Sequence, residues 1–196
     1  MVNPFGMDER CTNCPALVEE RSHIVHGYGD VTAEFFFVLE SPTPAADASG
    51  HPLHGQLCDI LDRLGFLQTS ENPPRLENAF ITHLTRCRHT ARGPHDREIR
   101  TCDPFFTAEL RSINPEIIVP IGERVLRVIA EEHTTTDPSS LDIRAVHAEP
   151  LRGRGFELVP MIELDSLTDE HVEDFVATMS ETLGRDYRQT KGRQGR

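Results

Sequence analysis

The chain has 196 residues, 37% of them hydrophobic and 27% charged, with a formal net charge of -12. That length suits one domain with a substantial core and leaves too little for two, and no apolar run approaches the roughly 20 residues that span a bilayer. The acidic balance argues against a protein that holds nucleic acid through its overall field.

In chain order, the start from Met1 to Asp8 has neither the basic region nor the apolar core of a signal peptide, so a cytoplasmic protein is expected. Cys11-Thr12-Asn13-Cys14 is a chelating or redox spacing, followed by Pro15 and a helix expected from Ala16 to about Ser22. Cys87 and Cys102 add two thiols, while Cys58 sits inside an apolar helical pattern, as a small buried hydrophobe does. Four ligands from one near-terminal pair and two distant single positions fit a metal or iron-sulfur site in a reducing compartment. A structural zinc draws its thiolates from two paired knuckles and fits less well. Disulfides or unrelated buried thiols are the remaining readings.

Ile24 to Asp30 reads as an extended piece ending in a glycine turn. Phe35-Phe36-Phe37-Val38-Leu39 then forms an unbroken aromatic and β-branched run, the pattern of a strand buried on both faces. Glu40 ends it, and Ser41-Pro42-Thr43-Pro44 cannot continue a central strand because its prolines remove ladder donors. Leu57 to Phe66 has helical spacing with Gly65 as a stop, and Thr69 to Glu77 reads as a surface loop. Ala79 to Leu84 is the second strand and delivers His83 near its end. Arg88 to Asp96 is read as an exposed loop, and Asp96 as the cap of a helix that Pro104 is expected to break. Glu116 to Ile121 is the third strand, and Gly122 turns it into a helix from Glu123 to Glu132. His133 to Asp142 reads as a flexible polar loop, Phe156 to Ile162 as a fourth strand ending at Glu163. A closing helix runs from Thr168 to Leu183, capped by Asp165, Ser166 or Thr168.

The tail carries Arg185, Arg188, Lys191, Arg193 and Arg196 against Asp186 and is expected to be disordered. The division is therefore a domain over residues 1–184 and a basic tail over 185–196. Lys191 is the only lysine in the chain. Two readings fit such an arginine-based acidic protein: a halophilic surface, where carboxylates hold hydration in concentrated salt, or an arginine-rich genome.

Alternating strands and helices predict an α/β fold: a three-layer α/β/α sandwich around a mostly parallel four-stranded sheet. Glu40, His83, Gly122 and Glu163 each fall at the carboxyl end of a strand, the edge where such folds bind ligands. Each alone is more often a solvated loop residue. A helix starting near Gly122 would add backbone donors.

Several motifs together resemble the family 4 uracil-DNA glycosylases, the iron-sulfur branch of that superfamily, from Cys11 to about Leu183. Cys11-Thr12-Asn13-Cys14-Pro15-Ala16-Leu17 is similar to the family's Cys-x-x-Cys-Pro-Leu opening. Ile24-Val25-His26-Gly27-Tyr28-Gly29 resembles its Val-Val-x-Gly-x-Gly lead into the first strand, and Gly50-His51-Pro52-Leu53-His54-Gly55 its Gly-x-Pro-Phe-x-Gly loop. Ile81-Thr82-His83-Leu84-Thr85-Arg86-Cys87-Arg88 is similar to Ile-Thr-Asn-x-x-Lys-Cys-Arg. The resemblance implies a 4Fe-4S cluster on Cys11, Cys14, Cys87 and Cys102, a monomer, and DNA repair on a flipped base whose N-glycosidic bond is cleaved. It also implies catalytic roles for Glu40, His83 and Glu163, with Ser41, Pro42, Leu53 and Gly122 around the base.

The chain departs from the family's pattern at the site. Gly-Glu-Ala-Pro-Gly becomes Leu39-Glu40-Ser41-Pro42-Thr43, the stacking phenylalanine becomes Leu53, the base-reading asparagine becomes His83, and His-Pro-Ala becomes Glu163-Leu164-Asp165. Imidazole cannot reproduce the paired donor and acceptor of an amide. A carboxylate at position 163 would oppose an anionic leaving base. The expectation is a DNA glycosylase with a base preference altered from uracil; the alternative is a noncatalytic iron-sulfur protein of the same fold that binds nucleic acid or a partner. A small-molecule α/β enzyme finds no Gly-rich phosphate loop or nucleophile elbow.

Overall fold

Hydrophobic periodicity carries through to the computed structural model, which describes residues 3–68 and 73–184. The expectation of a disordered basic tail falls outside the described residues, as does part of the Thr69 to Glu77 loop. The elements in chain order are α1 (Pro15–Glu20), β1 (Tyr28–Gly29), β2 (Phe35–Leu39), α2 (Pro44–Ser49), α3 (Gly55–Arg63), β3 (Leu67–Gln68), β4 (Arg75–Leu76) and β5 (Ala79–His83). They continue with α4 (Asp96–Ile113), β6 (Ile117–Pro120), α5 (Glu123–His133), β7 (Leu151–Arg152), β8 (Glu157–Leu158) and α6 (Asp169–Leu183).

The main sheet is ordered β1-β5-β2-β6-β8-β7. Its four inner strands are parallel, as expected, and the antiparallel edges β1 and β7 raise the count from four to six. Those edges are two residues long and too short to leave an alternating pattern. The third parallel ladder, between β6 and β8, is interrupted at Pro120, which has no N–H to donate. Pairing resumes through Met161 N to Pro120 O at 2.9 Å and Gly122 N to Met161 O at 2.8 Å. A small second sheet pairs β3 with β4, where a plain loop was expected around Arg75.

β2 lies at the centre, and all five of its residues are buried. Because side chains alternate faces along a strand, Phe35, Phe37 and Leu39 join the core under α3 and α6. Phe36 and Val38 join the core under α4 and α5. These two apolar layers are the sandwich.

Two helices depart from expectation. α4 runs unbroken through Pro104, which is exposed, so the helix keeps its apolar face against the sheet. It starts one residue earlier in effect, with His95 rather than Asp96 at the N-cap and Glu98 closing the capping box. α2 occupies a stretch read as loop. Pro44 sits at its first position, where no N–H is missed, and Thr43 accepts from Ala46 N at 3.2 Å. The His133 to Asp142 segment is also more ordered than expected, with a 3-10 turn at Pro138–Ser140 and a buried Leu141.

Between the sheet and α4 lies a buried charge pair. Arg86 and Glu109, 3% and 1% exposed, meet at 2.7 Å, and Thr82 Oγ1 donates to the other Glu109 oxygen at 2.5 Å. Removing one partner of such a pair strands the other charge, so Glu109→Ala is expected to lower the unfolding free energy in urea by about 3–5 kcal/mol. Glu173→Ala, which deletes the exposed Arg63–Glu173 pair, should cost less than about 1 kcal/mol. Equal losses would contradict the burial of Glu109.

His83, 1% exposed, ends β5. Burial, with Arg86 nearby, pushes its imidazole down from 6.5 to about 3. The unfolded chain therefore takes up the proton first, and stability present above about 6.5 is lost as pH falls toward about 3. In urea titrations across that window, His83→Gln should flatten the acid slope. An unchanged slope would place the titration elsewhere, for instance at His51, which burial also lowers, to about 4.

Candidate active site and cysteine pocket

The register of β2 puts Leu39 opposite His83 on one side, and Val38 opposite Pro120 on the other. The next residues, Glu40 and Ile121, thus emerge at one sheet edge. There Glu40, Ser41, Thr43 and Ile121, together with Glu163, Leu164 and Asp165, line an open cleft of about 640 Å³.

Glu40 is held from α5. Arg124 donates through Nη1 to Glu40 Oε1 at 2.9 Å, and also to the Pro94 carbonyl and, at 2.5 Å, to Asp96 Oδ1. Gly93 lies so close that a Cβ on it would be 3.3 Å from Glu40 Oε2. The loop before α4 thus passes over the carboxylate. Sequence reasoning missed Arg124, although a cation in the first turn of a helix opposes the helix dipole. Such a residue is explained by carboxylates that hold it, and that was the available signal.

Glu163 reaches α5 from the other side. Gly122, the N-cap of α5, has no side-chain acceptor, and Glu163 Oε1 takes the Glu123 N–H at 2.8 Å instead. A Cβ on Gly122 would lie 3.0 Å from Glu163 Cγ, and its φ of +98° favours glycine as well. Gly122 and Glu163 are therefore brought together as a helix cap from two elements.

The remaining expected site residues lie behind the cleft. His83 is buried, and its Nδ1 has no hydrogen-bond partner among the described residues. Leu53, 6% exposed, packs into the core beside α3, and Pro42 is buried next to Ser41. The loop carrying Leu53 is tied down by buried Asp47, which accepts from Ser22 N at 3.1 Å, and by His23 Nδ1 with Asp47 O at 2.7 Å.

Cys11, Cys14, Cys87 and Cys102 line one pocket of about 300 Å³ with Arg21, Arg86 and Phe105. Cys58 packs instead against the core. All five are free thiols, which removes the disulfide reading. Two guanidiniums face the sulfurs: Arg21 Nη1 donates to Cys87 Sγ at 2.9 Å, and Arg86 Nη1 to Cys102 Sγ at 3.9 Å. Arg21 also donates to the Cys11 carbonyl at 2.7 Å, binding the N-terminal pair to the later cysteines. Burial pushes the Cys87 thiol up to about 11 and raises Cys14 and Cys102. Guanidinium donors would favour the thiolate forms that a metal requires. Among the described residues no three His, Cys, Asp or Glu side chains close around one point as a single ion demands.

Residues 26–179 match the family model of the Uracil DNA glycosylase superfamily. The Type-4 uracil-DNA glycosylase of Saccharolobus solfataricus is 35% identical over 116 residues, 58% of this chain and 51% of that protein. That of Thermotoga maritima is 29% identical over 144 residues, 73% of this chain and 69% of that protein. That of Archaeoglobus fulgidus is 30% identical over 117 residues, 57% of this chain and 54% of that protein. The chain spans about half the length of the first and third of these relatives. With the family model matched across all four parallel strands and the cleft at their carboxyl ends, the chain belongs to the uracil DNA glycosylase superfamily.

Proposed function

We propose that this protein is a DNA-repair glycosylase that flips a base from DNA and cleaves its N-glycosidic bond, with a preference altered from uracil. The observation that carries the altered preference is Glu163, a carboxylate facing the same cleft as Glu40. A glycosylase must hold the flipped base, stabilise charge on the departing base and admit water to the sugar carbon. Glu40, its direction fixed by Arg124, orients that water and faces the cationic sugar. Glu163 has one oxygen on the Glu123 amide and keeps the other for an amino-bearing base. Near it, negative charge developing on uracil would be opposed. His83, neutral at neutral pH because of its burial, is set back behind the cleft, so this position does not present to a base edge the donor and acceptor pair that an asparagine offers. Ser41 lines the cleft, while Pro42, Leu53 and Gly122 support it from behind.

The four cysteines suit a 4Fe-4S cluster, which spreads its thiolates wider than a single zinc does. When bound it would supply a structural tie between the segment before α1 and the start of α4. Free thiols agree with a reducing cytoplasm. No helix among the described residues is long and apolar enough to cross a membrane. A second reading, a noncatalytic iron-sulfur DNA-binding protein, is favoured by one observation: His83 and Leu53 are withdrawn from the cleft.

Duplexes carrying single uracil, hypoxanthine, xanthine or alkylated bases decide between them. Excision of a base other than uracil, reduced about 100-fold or more in Glu40→Gln, is the expected outcome; excision of none by protein with an intact cluster would favour the binding protein. Anaerobically purified protein should be brown and contain iron, and Cys87→Ser should lose both. Colourless protein containing zinc would keep the ligands and reject the cluster.

A further inference from the structure

We infer that the stretch from Arg88 to Arg100 is a docking edge for the phosphodiester backbone of DNA, with Arg88, Arg97 and Arg100 as its phosphate-contacting cations. The inference rests on the glycosylase reading for its partner. A chain of net charge -12 does not attract a polyanion as a whole, so any contact with DNA needs a local concentration of cations. This segment holds Arg88, Arg92, Arg97 and Arg100, with Arg86 just before it, against only Asp96 and Glu98.

The ion pairs sort those charges. Arg86 is committed to buried Glu109. Arg92 grips Glu98 with both nitrogens, at 2.8 and 2.9 Å. Asp96 is held by Arg124. Both acids of the segment are thus neutralised, and Arg88, Arg97 and Arg100 have no ion-pair partner among the described residues.

The placement of Arg97 and Arg100 suits a strand of phosphates, and Arg88, half-buried, precedes them on the same stretch of chain. Arg97 and Arg100 are exposed and three residues apart on α4, so they share a side of the helix. Arg97 also lines a groove with Asn13, which adds a neutral donor from the segment before α1. Midway along, the segment reaches the cleft side, where a Cβ on Gly93 would lie 3.3 Å from Glu40 Oε2 and the Pro94 carbonyl is held by Arg124. A backbone lying along this edge passes beside the place where a nucleotide would enter. The edge is also pre-shaped: Thr90 Oγ1 donates to Glu20 on α1, and Glu98 accepts from His95 N at 2.6 Å. Less of it must be ordered on binding.

The test is fluorescence anisotropy with a labelled undamaged duplex across a potassium chloride series. The Arg88→Gln/Arg97→Gln/Arg100→Gln variant should bind at least about tenfold more weakly near 0.1 M salt, and the slope of log affinity against log salt should fall by about 2–3. Lysines at the same positions should restore that slope, which a merely misfolded protein would not do. A charge-matched control, Arg111→Gln/Arg144→Gln/Arg154→Gln, alters exposed arginines elsewhere and should stay within about twofold of the unaltered protein. If the first variant binds like the control while the unaltered protein still excises a base, the docking edge is wrong and the glycosylase reading stands. If the unaltered protein binds no duplex at any salt, both are wrong.

Discussion

The structure depends on burying β2 on both faces between two parallel neighbours. With Phe35 to Leu39 wholly inside, no side chain along the central strand is free to do chemistry, and whatever the strand contributes must be displayed at its end. Phe, Val and Leu side chains of this kind gain about 1.5–3 kcal/mol each on full burial, and they join two separate apolar layers. That commitment fixes the register with β5 and β6. Register in turn places Glu40, Ile121 and the residues after Met161 along one rim.

At that rim the charges are arranged as a chain of contacts. Arg124 connects Glu40 to Asp96 and to the loop before α4, and that loop is closed on itself by Arg92 and Glu98. On the opposite side of the sheet edge, Arg86 joins buried Glu109 to the pocket that contains Cys102. Arg86, just after β5, and Arg124 on α5 therefore tie the cysteine pocket and the cleft to the same stretch of chain, residues 86–96.

Much of this was legible in the sequence because it rests on local pattern. The unbroken apolar runs of β2, β5 and β6 give period and length directly, and Cys-x-x-Cys with two distant thiols pointed to the set that converges in one pocket. Glu40 was legible as the residue after a buried run. What escaped reading was set by contacts across the fold. β1 and β7 are strands only because a neighbour offers a free edge. Pro104 breaks no helix because it faces outward while Phe106 and Leu110 hold α4 to the sheet. Thr43-Pro44 opens α2 rather than a loop, a capping signal masked by the neighbouring prolines. Arg124 and the withdrawal of Leu53 and His83 depend on where distant carboxylates and core residues come to lie.

The least expected consequence concerns the positive end of α5. A helix N-terminus at a sheet edge is ordinarily available to an anion, and here Gly122 leaves its cap open. Glu163 fills that position from the segment after β8, with a carboxylate near a helix N-terminus worth about 0.3–1 kcal/mol. The amide that could have met negative charge on a ligand is therefore already engaged by the protein's own anion. Opening this helix terminus to an anion would require more than replacing His83 or Leu53. It would require removing Glu163, and with it the cap that holds the first turn of α5 and the Arg124 that this turn presents to Glu40.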